Sequence, residues 1–421
     1  MAPQSLGEWL SYLERLHPKP MELGLDRVSA VAVAMGLERF ACPVITVGGT
    51  NGKGSTVSYL DAVYRAAGYR TALQISPHLV RFNERILLNG QEADDASILR
   101  ALAAVETGRA GISLTYFEYT VLAAVWLFRE TAPDVVILEV GLGGRLDVTN
   151  LWDADAVVLT NVALDHQRWL GDDRESIGFE KAHTARAGRP AICGDAAPPQ
   201  RLRDHWQAIG AEARFVGEDF HFERTSEGWR WWDASERLDL PLPGMAGGFQ
   251  LANAAGAVAV IQHLQSTLPV PAAALAEGIA TARISGRMQA FRVRGIEVVL
   301  DVAHNGAAAD ALARSLRGHD GRLLAVTAVM ADKDLDAILT PLASHFDGWF
   351  LGELDMERAL PSDDYAQRLA AHGVVNVQYA GPVLDALHAA LDAAQRADKV
   401  VVFGSLYTVA GVIEAVASLA D

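Results

Sequence analysis

The 421-residue chain contains only two cysteines, Cys42 and Cys193, which lie far apart and form no Cys-x-x-Cys pair. A disulfide scaffold and a zinc ribbon both need more cysteines at closer spacing, so neither is expected. Basic residues are also scarce, since 36 lysines and arginines face 52 aspartates and glutamates, for a formal net charge of −16. This balance excludes the basic surface of a nucleic-acid-binding protein, although a local basic pocket for a small anion is compatible with it.

Long apolar runs are absent as well. The densest apolar stretch, Thr120–Phe128, is about half of the roughly 20 residues that a membrane-spanning helix needs. The N-terminal sequence MAPQSLGEWLSYLERLH carries acidic residues and lacks an apolar segment of signal-peptide length. We therefore expect a soluble, cytoplasmic protein that binds neither membranes nor nucleic acid.

Hydrophobic residues make up 50% of the chain, which is enough for sizeable cores in two or three domains. Short runs of β-branched residues alternate with Ala- and Leu-rich helical stretches, a pattern typical of parallel sheets covered by helices. The predicted strands are Pro43–Val47, Asp134–Val140, Ala156–Val162, Arg189–Cys193, Glu297–Val302, Arg322–Val329, Gly348–Leu354, Val375–Tyr379 and Lys399–Phe403. The predicted helices include Ser55–Ala67, Tyr116–Glu130, Asn253–Gln265 and Leu384–Ala394.

The segment His221–Leu242 departs from this alternation. It holds three tryptophans among alternating charges, which predicts a small antiparallel insertion. Further on, a helical stretch gives way to Ser-Gly-Arg at 285–287 and then to a new strand. We place the domain boundary there, with residues 1–287 in the first domain and 288–421 in the second.

The strongest local signal is VITVGGTNGKGST at 44–56, a short apolar strand that runs through a glycine-rich loop into a helix. Glycines let backbone N–H groups approach phosphate oxygens, and a helix N-terminus favours negative charge. Lys53 would supply a cation for the outer phosphates. The loop is not a strict Walker A motif, because Val47 replaces its first glycine and Gly54 separates Lys53 from Ser55. A glycine-rich turn with a surface lysine is the alternative, but the strand–loop–helix context favours phosphate binding.

Two later strands also end in polar side chains. Glu139 closes an apolar strand before a second glycine-rich loop, and Asp165 and His166 follow the next strand. Ligands of open α/β sheets bind beyond the carboxyl ends of strands, and Mg²⁺ is the natural partner of a carboxylate beside a phosphate loop. Glu139 could instead be a satisfied strand-end carboxylate, and His166 a hydrogen-bonded loop histidine. Patterning alone assigns Lys181 to an ordinary exposed helix face.

The second domain repeats the strand-end arrangement. Asp301 and His304 follow one strand, and Gly404 and Ser405 follow another. Ligand crevices in two domains predict a cleft between them.

Ordered blocks extend over nearly the whole chain. They are WLSYLERLH and LGLDRV near the N-terminus, GTNGKGS at 49–55, SPHLVRFNERI at 76–86, SLTYFEYTVLAAVWLF at 113–128, ILEVGLGGRLDVTN at 137–150, ALDHQRWLGDDRESIGFEKA at 163–182, NAAGA at 253–257, SGRMQ at 285–289, LDVAHN at 300–305 and FGSLYTVA at 403–410. In these blocks the chain resembles the Mur-ligase superfamily and, within it, the bacterial dihydrofolate synthase/folylpolyglutamate synthase family.

The resemblance implies an α/β fold. A P-loop-type Mur-ligase central domain, with a mostly parallel sheet and a small antiparallel insertion, would bind ATP and the pterin. A Rossmann-like C-terminal α/β domain would follow on the glutamate side. The implied activity is that of an ATP-dependent ligase that adds L-glutamate to 7,8-dihydropteroate, and further glutamates to reduced folates, through an acyl phosphate. ATP and Mg²⁺ are the implied cofactors, with a monovalent cation as a further candidate, and we expect a monomer.

The resemblance also implies roles for individual residues. It places ATP on Thr50, Asn51, Gly52, Lys53, Gly54, Ser55, Asn253, Arg287 and Asp301, and magnesium on Ser76, Glu139 and His166. It assigns catalysis to Lys53, to a carbamylated Lys181 and to His304, with Ser405 on the glutamate side. The substrate segments are Arg15, Leu16, His17 and Pro18; Leu114, Thr115, Tyr116 and Phe117; and Leu146, Asp147 and Val148. Phe117 would offer a stacking face for the pterin ring.

Other functions remain as alternatives. The nearest is a folylpolyglutamate synthase without the dihydropteroate reaction. A peptidoglycan ligase would carry an additional N-terminal domain, whereas about 40 residues precede the phosphate loop here. A regulatory nucleotide-binding module with a dead site is disfavoured because Lys53, Glu139, His166 and Lys181 are all present. An NAD-dependent oxidoreductase is excluded because no Gly-x-Gly-x-x-Gly follows a strand.

Overall fold

The computed structural model describes residues 3–19 and 21–421, which form two compact units. The first unit contains the described residues up to Gly244 together with Leu251–Arg283. The second contains Met245–Gln250 and Ile284–Asp421, so the chain enters it twice. The sequence did not predict that the short segment Met245–Gln250 would belong to the second unit.

A twisted sheet lies at the centre of the first unit. Its strands are β1 Val44–Gly48, β2 Thr71–Gln74, β3 Ile86–Leu88, β4 Gln91–Glu92, β5 Val135–Glu139, β6 Ala156–Leu159, β7 Pro190–Cys193 and β8 Glu212–Phe215. They pair in the order β4-β3-β2-β5-β1-β6-β7-β8. Neighbours from β2 to β8 are parallel, and β3 and β4 add antiparallel strands at one edge.

The central strands β1 and β5 are buried along their whole length, as their unbroken apolar sequences predict for a sheet covered on both faces. The helices of this unit are α1 Leu6–Leu16, α2 Asp26–Ala34, α3 Lys53–Ala66, α4 Asp95–Arg109, α5 Tyr116–Thr131, α6 Gln167–Leu170, α7 Arg174–Ala182, α8 Gln200–Ile209, α9 Gln250–His263 and α10 Ala272–Thr281. Helix α5 begins with a capping box between Thr115 and Glu118 and is apolar around most of its circumference, which explains its burial in the core.

The tryptophan-rich segment forms a separate three-stranded antiparallel sheet of β9 Phe220–Arg224, β10 Trp229–Asp233 and β11 Arg237–Leu240. Trp229 and Trp231 are two residues apart in β10, so both side chains lie on the buried face of this sheet, at 0% and 1% exposure. The predicted antiparallel insertion is therefore confirmed.

The second unit contains a six-stranded sheet in which only the edge pair is antiparallel. Its strands are β12 Gln289–Val293, β13 Ile296–Leu300, β14 Leu323–Thr327, β15 Gly348–Glu353, β16 Val377–Pro382 and β17 Lys399–Phe403, in the order β12-β13-β17-β14-β15-β16. Its helices are α11 Gly306–Leu316, α12 Leu335–Leu342, α13 Ser362–Ala371, α14 Val383–Ala393 and α15 Leu406–Leu419. The predicted α/β class with mostly parallel sheets is confirmed.

Some predicted strands have misplaced ends: the strand predicted at Ala156–Val162 already ends at Leu159, and another strand begins too early. The sequence placed it at Val375–Tyr379, whereas β16 begins at Val377. The chain leaves α13 through a left-handed turn at Gly373 (φ 80°), and Val375 is 95% exposed. A β-branched residue in an exposed turn therefore extended the apparent strand pattern. Within the described residues, every helix is too short or too polar to cross a membrane.

Candidate functional site

The glycine-rich loop joins β1 to α3, and β1 lies between β5 and β6 in the sheet. Its anchor is the segment after β6. The Thr50 N–H donates to the Asn161 carbonyl (2.9 Å), and the Asn51 N–H donates to Asn161 Oδ1 (3.1 Å). The Thr160 hydroxyl donates to the Asn51 carbonyl (2.6 Å). With its backbone fixed in this way, the loop presents the N-terminus of α3 beyond the sheet edge, which is the arrangement that binds phosphate.

Two lysines converge on this loop. The Lys53 ammonium donates to the carbonyls of Gly49 (3.1 Å) and Thr50 (3.0 Å), and the Lys181 amine donates to the same Gly49 carbonyl (2.9 Å). Lys181 is only 4% exposed. Burial, reinforced by the charge of Lys53, lowers the pKa of Lys181 to about 7. Assigning Lys181 to an exposed helix face was wrong.

The burial of Lys181 results from close packing of the loop after β5 against α7. A Cβ on Gly144 would lie 2.9 Å from the Glu180 carbonyl oxygen and 3.1 Å from that of Lys181. The Arg145 N–H donates to the Glu180 carbonyl (2.9 Å), and the Arg145 guanidinium pairs with the Glu180 carboxylate (2.8 Å). Glycine at 144 therefore allows the two backbones to touch, which seals Lys181 from water.

Of the predicted magnesium ligands, Ser76 follows β2, Glu139 is the last residue of β5, and His166 is the N-cap of α6, in the segment after β6. Glu139 is 4% exposed, and its Oε2 accepts a hydrogen bond from the Ser76 N–H (2.8 Å). His166 has a left-handed backbone (φ 53°) and a 44% exposed side chain. Because these strands are parallel, all three residues lie at the same edge of the sheet as the phosphate loop.

The chemistry of this edge fits a divalent cation. Within the part of the chain that the structure describes, no three histidine, cysteine, aspartate or glutamate side chains converge as a metal cluster. The predicted ligand set contains one carboxylate, that of Glu139, and one histidine, His166. Phosphate oxygens, water and the Ser76 hydroxyl would complete an oxygen-rich coordination shell of the kind that Mg²⁺ prefers. A carboxylate beside a phosphate loop is also a typical ligand of such a cation.

Asn253, on α9, lies directly against the phosphate loop. A Cβ on Gly52 would be 2.3 Å from Asn253 Oδ1. Gly52 also adopts a left-handed backbone (φ 86°) as the N-cap of α3. The structure thus brings together Asn253 and the loop, which are some 200 residues apart in the sequence.

We expect Gly52→Ala to weaken ATP use more than it weakens the fold. The new methyl group would displace Asn253, and the left-handed backbone adds about 1 kcal/mol of strain. Gly68→Ala is the matched control, because Gly68 follows the other end of α3 with a similar φ of 89° but has open space around it. We expect Gly52→Ala to lose at least as much stability in urea as Gly68→Ala, and only Gly52→Ala to raise the KM for ATP. Equal KM values in the two variants would contradict this.

The candidate residues of the second unit are engaged in local hydrogen bonds. Asp301 accepts from the Met288 and Ala303 N–H groups (both 2.9 Å), and burial raises the pKa of its carboxyl while Arg287 opposes that shift. His304 Nδ1 lies 2.9 Å from the Val302 carbonyl oxygen. Ser405 is the N-cap of α15, where its hydroxyl accepts from the Thr408 N–H (3.0 Å). Since β13 and β17 are parallel neighbours, Asp301 and Ser405 lie at one sheet edge.

Two of the three predicted substrate segments meet beside Gly141. A Cβ there would lie 2.5 Å from the Phe117 ring and 3.2 Å from Asp147 Oδ2. Asp147 is buried, which raises the pKa of its carboxyl, and it accepts from the N–H groups of Leu142 (2.8 Å) and Thr149 (3.0 Å). Phe117 is partly exposed, whereas Leu114 is fully buried in the core. The Phe117 ring is therefore accessible for stacking against a pterin, whereas the Leu114 side chain packs in the core and is not exposed to a ligand.

The third segment, Arg15–Pro18, ends α1. Arg15 and Pro18 are exposed and His17 is buried. The Leu16 carbonyl oxygen lies 3.5 Å from the Ser113 hydroxyl, so this segment adjoins the one that begins at Leu114.

Thr160 and Asn161 anchor the phosphate loop, but the sequence pattern did not single them out. The available signal was a polar pair immediately after an apolar strand, the same criterion that selected Glu139. Their hydrogen bonds go to a loop 110 residues earlier in the chain, so only the fold reveals their partners.

Known proteins match this chain along its length. A family model described as Mur ligase, glutamate ligase domain, matches residues 286–406. The dihydrofolate synthase/folylpolyglutamate synthase of Escherichia coli is 42% identical over 418 residues, which cover 99% of this chain and 96% of that protein. The structure of E. coli FolC in complex with DHPP and ADP superposes with a TM-score of 0.94 at 42% identity, covering 99% of both chains.

A bifunctional folylpolyglutamate synthase/dihydrofolate synthase with Mn, AMPPNP and L-glutamate bound is also similar, with a TM-score of 0.91 at 41% identity and 99% coverage of each chain. Identity and coverage at this level extend over both units rather than one. The chain therefore belongs to the dihydrofolate synthase/folylpolyglutamate synthase family of Mur ligases.

Proposed function

We propose that this protein is an ATP-dependent amide ligase that joins L-glutamate to 7,8-dihydropteroate, giving dihydrofolate, and adds further glutamates to reduced folates. The observation that carries the proposal is the convergence of Lys53 and Lys181 on the Gly49 carbonyl, beside the buried Glu139. The Lys53 ammonium, a buried lysine amine and a carboxylate beside a glycine-rich loop fit a bound, metal-associated triphosphate. The relatives with ADP, DHPP and L-glutamate bound support the same substrates.

The chemistry begins with a poor electrophile. A carboxylate oxygen of the pteroate attacks the γ-phosphorus, the bond to the bridging oxygen breaks, and ADP leaves. The glutamate amine then attacks the acyl carbon of the acyl phosphate, inorganic phosphate departs, and the amine loses a proton. Catalysis of both steps rests on positioning and charge neutralisation.

Each group in the first unit has a task in this scheme. The loop N–H groups at Thr50–Ser55 hold the phosphates, and Lys53 turns from backbone carbonyls towards the transferring phosphoryl group. Ser76, Glu139 and His166 would hold Mg²⁺, which would further neutralise the charge of the phosphates. Asn253 contacts the nucleotide where it adjoins Gly52. The pterin ring lies against Phe117, between the segments Leu114–Phe117, Leu146–Val148 and Arg15–Pro18.

The second unit supplies the remaining contacts. Arg287 and Asp301 bind the nucleotide, and His304 and Ser405 bind on the glutamate side. We further propose that residues 1–287 act as the ATP- and pterin-binding domain and residues 288–421 as the glutamate domain. Arg287 is then the last residue of the first domain, and Asp301 is a nucleotide contact supplied by the second.

The test is ADP release with ATP, Mg²⁺ and L-glutamate, using dihydropteroate or tetrahydrofolate as acceptor. We expect turnover with both and loss of both in Lys53→Ala. With dihydropteroate labelled by ¹⁸O in its carboxylate, we expect one label to appear in inorganic phosphate, as an acyl phosphate requires. Turnover with tetrahydrofolate alone would support the alternative, a folylpolyglutamate synthase only. Turnover with neither would overturn the proposal.

A further inference from the structure

An ion-pair chain crosses the first unit beside the proposed pterin segments. It consists of His17, Glu22, Arg27 and Glu118, and we call it the Arg27 network. Arg27 Nη2 donates to Glu118 Oε1 (3.0 Å), and Arg27 Nη1 lies 3.4 Å from Glu22 Oε2. Glu22 Oε2 in turn lies 3.0 Å from His17 Nε2. A single guanidinium thus bridges two carboxylates that are on different parts of the chain.

At one end of the network, Glu118 fixes the start of α5. Its Oε2 accepts from the Thr115 N–H (2.7 Å) while its Oε1 accepts from Arg27. The Glu118 side chain is 6% exposed, so its charge depends on these donors rather than on water. Arg27 therefore sets the orientation of a carboxylate that holds the segment Leu114–Phe117 in place.

At the other end, His17 belongs to the segment Arg15–Pro18. Its side chain is 5% exposed, its Nε2 faces the Glu22 carboxylate, and its Nδ1 lies 2.9 Å from the Lys19 carbonyl oxygen and 3.1 Å from the Lys19 backbone nitrogen. A carboxylate only accepts hydrogen bonds, so Nε2 carries the proton. Both ring nitrogens of this imidazole have polar neighbours, and these contacts fix the turn after α1.

We propose that Arg27 is a positioning residue that holds Arg15–Pro18 and Leu114–Phe117 in a fixed relation and thereby sets the affinity for the pterin-bearing substrate. The inference rests on the proposed function. Arg27 and Glu118 are 91 residues apart in the sequence, so no local backbone interaction can replace their contact.

The geometry requires arginine. A planar guanidinium presents separate N–H donors to two carboxylates at once, whereas a lysine ammonium acts as a point charge on a flexible stem. The remaining donor, Arg27 Nε, is buried and has no hydrogen-bond partner among residues 3–19 and 21–421. A buried N–H group without a hydrogen bond is unfavourable. The two carboxylates therefore hold the guanidinium in a position that does not satisfy its own Nε–H group.

The experiment compares Arg27→Lys and Arg27→Met with the same changes at Arg65. Arg65 is a matched control, because it also pairs a partly exposed guanidinium (38%) with a 6% exposed carboxylate, that of Asp61, in the same unit. A substrate displaced by about 1 Å can lose on the order of 100-fold in turnover, and we expect the smaller displacement in both Arg27 variants to raise the KM for dihydropteroate about tenfold. The KM values for ATP and L-glutamate should stay within about twofold of wild type, and the Arg65 variants should change none of the three.

A further variant separates positioning from stability. Arg27→Met leaves Glu118 buried without a cation, whereas Arg27→Met combined with Glu118→Gln removes both charges and keeps an oxygen for the Thr115 N–H. We expect this double variant to regain the thermal stability that Arg27→Met loses and to keep the raised KM for dihydropteroate. Recovery of the KM along with stability would overturn the positioning role.

The two failures are distinguishable. A wild-type protein that releases no ADP with dihydropteroate would overturn the proposed function, and the positioning role with it. An active wild type whose Arg27→Lys variant keeps its KM for dihydropteroate, or changes all three KM values equally, would overturn the positioning role alone.

Discussion

Lys181→Met is expected to make the protein more stable and nearly inactive. Methionine fills the space of the lysine stem without a buried amine, so the free-energy cost of desolvating that amine on folding is removed. The Gly49 carbonyl retains its hydrogen bond from Lys53, so no acceptor is left unpaired. Turnover should fall on the order of 100-fold, the usual cost of removing one preorganised charged group. Urea unfolding and ADP release measure the two effects on one sample.

The stability difference should depend on pH in a defined direction. In the folded protein, burial lowers the pKa of Lys181 from 10.5 to about 7. Between these values the unfolded chain binds the proton and the folded chain does not, so the free energy of unfolding of the wild type rises with pH. The advantage of Lys181→Met should therefore be largest below pH 7 and shrink towards pH 10, in degassed buffer. A constant difference across this range would show that the amine is not desolvated.

The same lowered pKa bears on the proposed carbamate. An amine reacts with CO₂ only through its free lone pair, losing a proton as the N–C bond forms, and a lysine with a pKa of about 7 is substantially neutral near that pH. We expect Lys181→Ala to regain activity with acetate or formate, because a small carboxylate can take the place of the carbamate in the cavity. Methionine leaves no such cavity, so Lys181→Met should not respond. Wild-type turnover in Lys181→Ala would exclude any catalytic role for the side chain.

Glu139→Gln should weaken the binding of magnesium while leaving the fold intact. An amide oxygen can still accept the Ser76 N–H, but the negative charge that fits a divalent cation is lost. We expect the Mg²⁺ concentration for half-maximal ADP release to rise about tenfold or more. Calorimetric titration with ADP gives a second readout, since Mg²⁺ should strengthen ADP binding to the wild type and not to the variant.

Asp61→Asn is the control for Glu139→Gln. Asp61 is equally buried, at 4% exposure, but lies within α3 and is paired with Arg65 and Thr71. Its variant should lose stability and keep the wild-type Mg²⁺ response. If both variants shift that response alike, Glu139 is a structural carboxylate rather than a metal ligand.

Much of the fold was predictable because its signals are local. The unbroken apolar sequences of β1 and β5 indicated strands covered on both faces, and the alternating tryptophans of β10 indicated a half-buried hairpin. The phosphate loop was predictable for the same reason, since strand, glycines and helix lie within 13 consecutive residues, 44–56. The sequence blocks that indicate the family are likewise contiguous stretches of chain.

Lys181 shows where such reasoning ends. Its helix has an ordinary amphipathic pattern, and nothing within a few residues indicates burial. The contacts that exclude water come from Gly144 and Arg145, which lie on the loop after β5. The charge that reinforces its low pKa belongs to Lys53 on another loop.

By itself, the sequence determined the α/β class, the phosphate loop, the strand-end positions of Glu139 and Asp301, and membership of the ligase family. Only the tertiary structure decided that Lys53 and Lys181 share one carbonyl, that Asn253 fills the space left by Gly52, and that Arg27 joins two distant segments. The reason is physical. Backbone preferences and apolar periodicity act over a few residues, whereas desolvation and ion pairing depend on which chain segments a parallel sheet brings to the same edge.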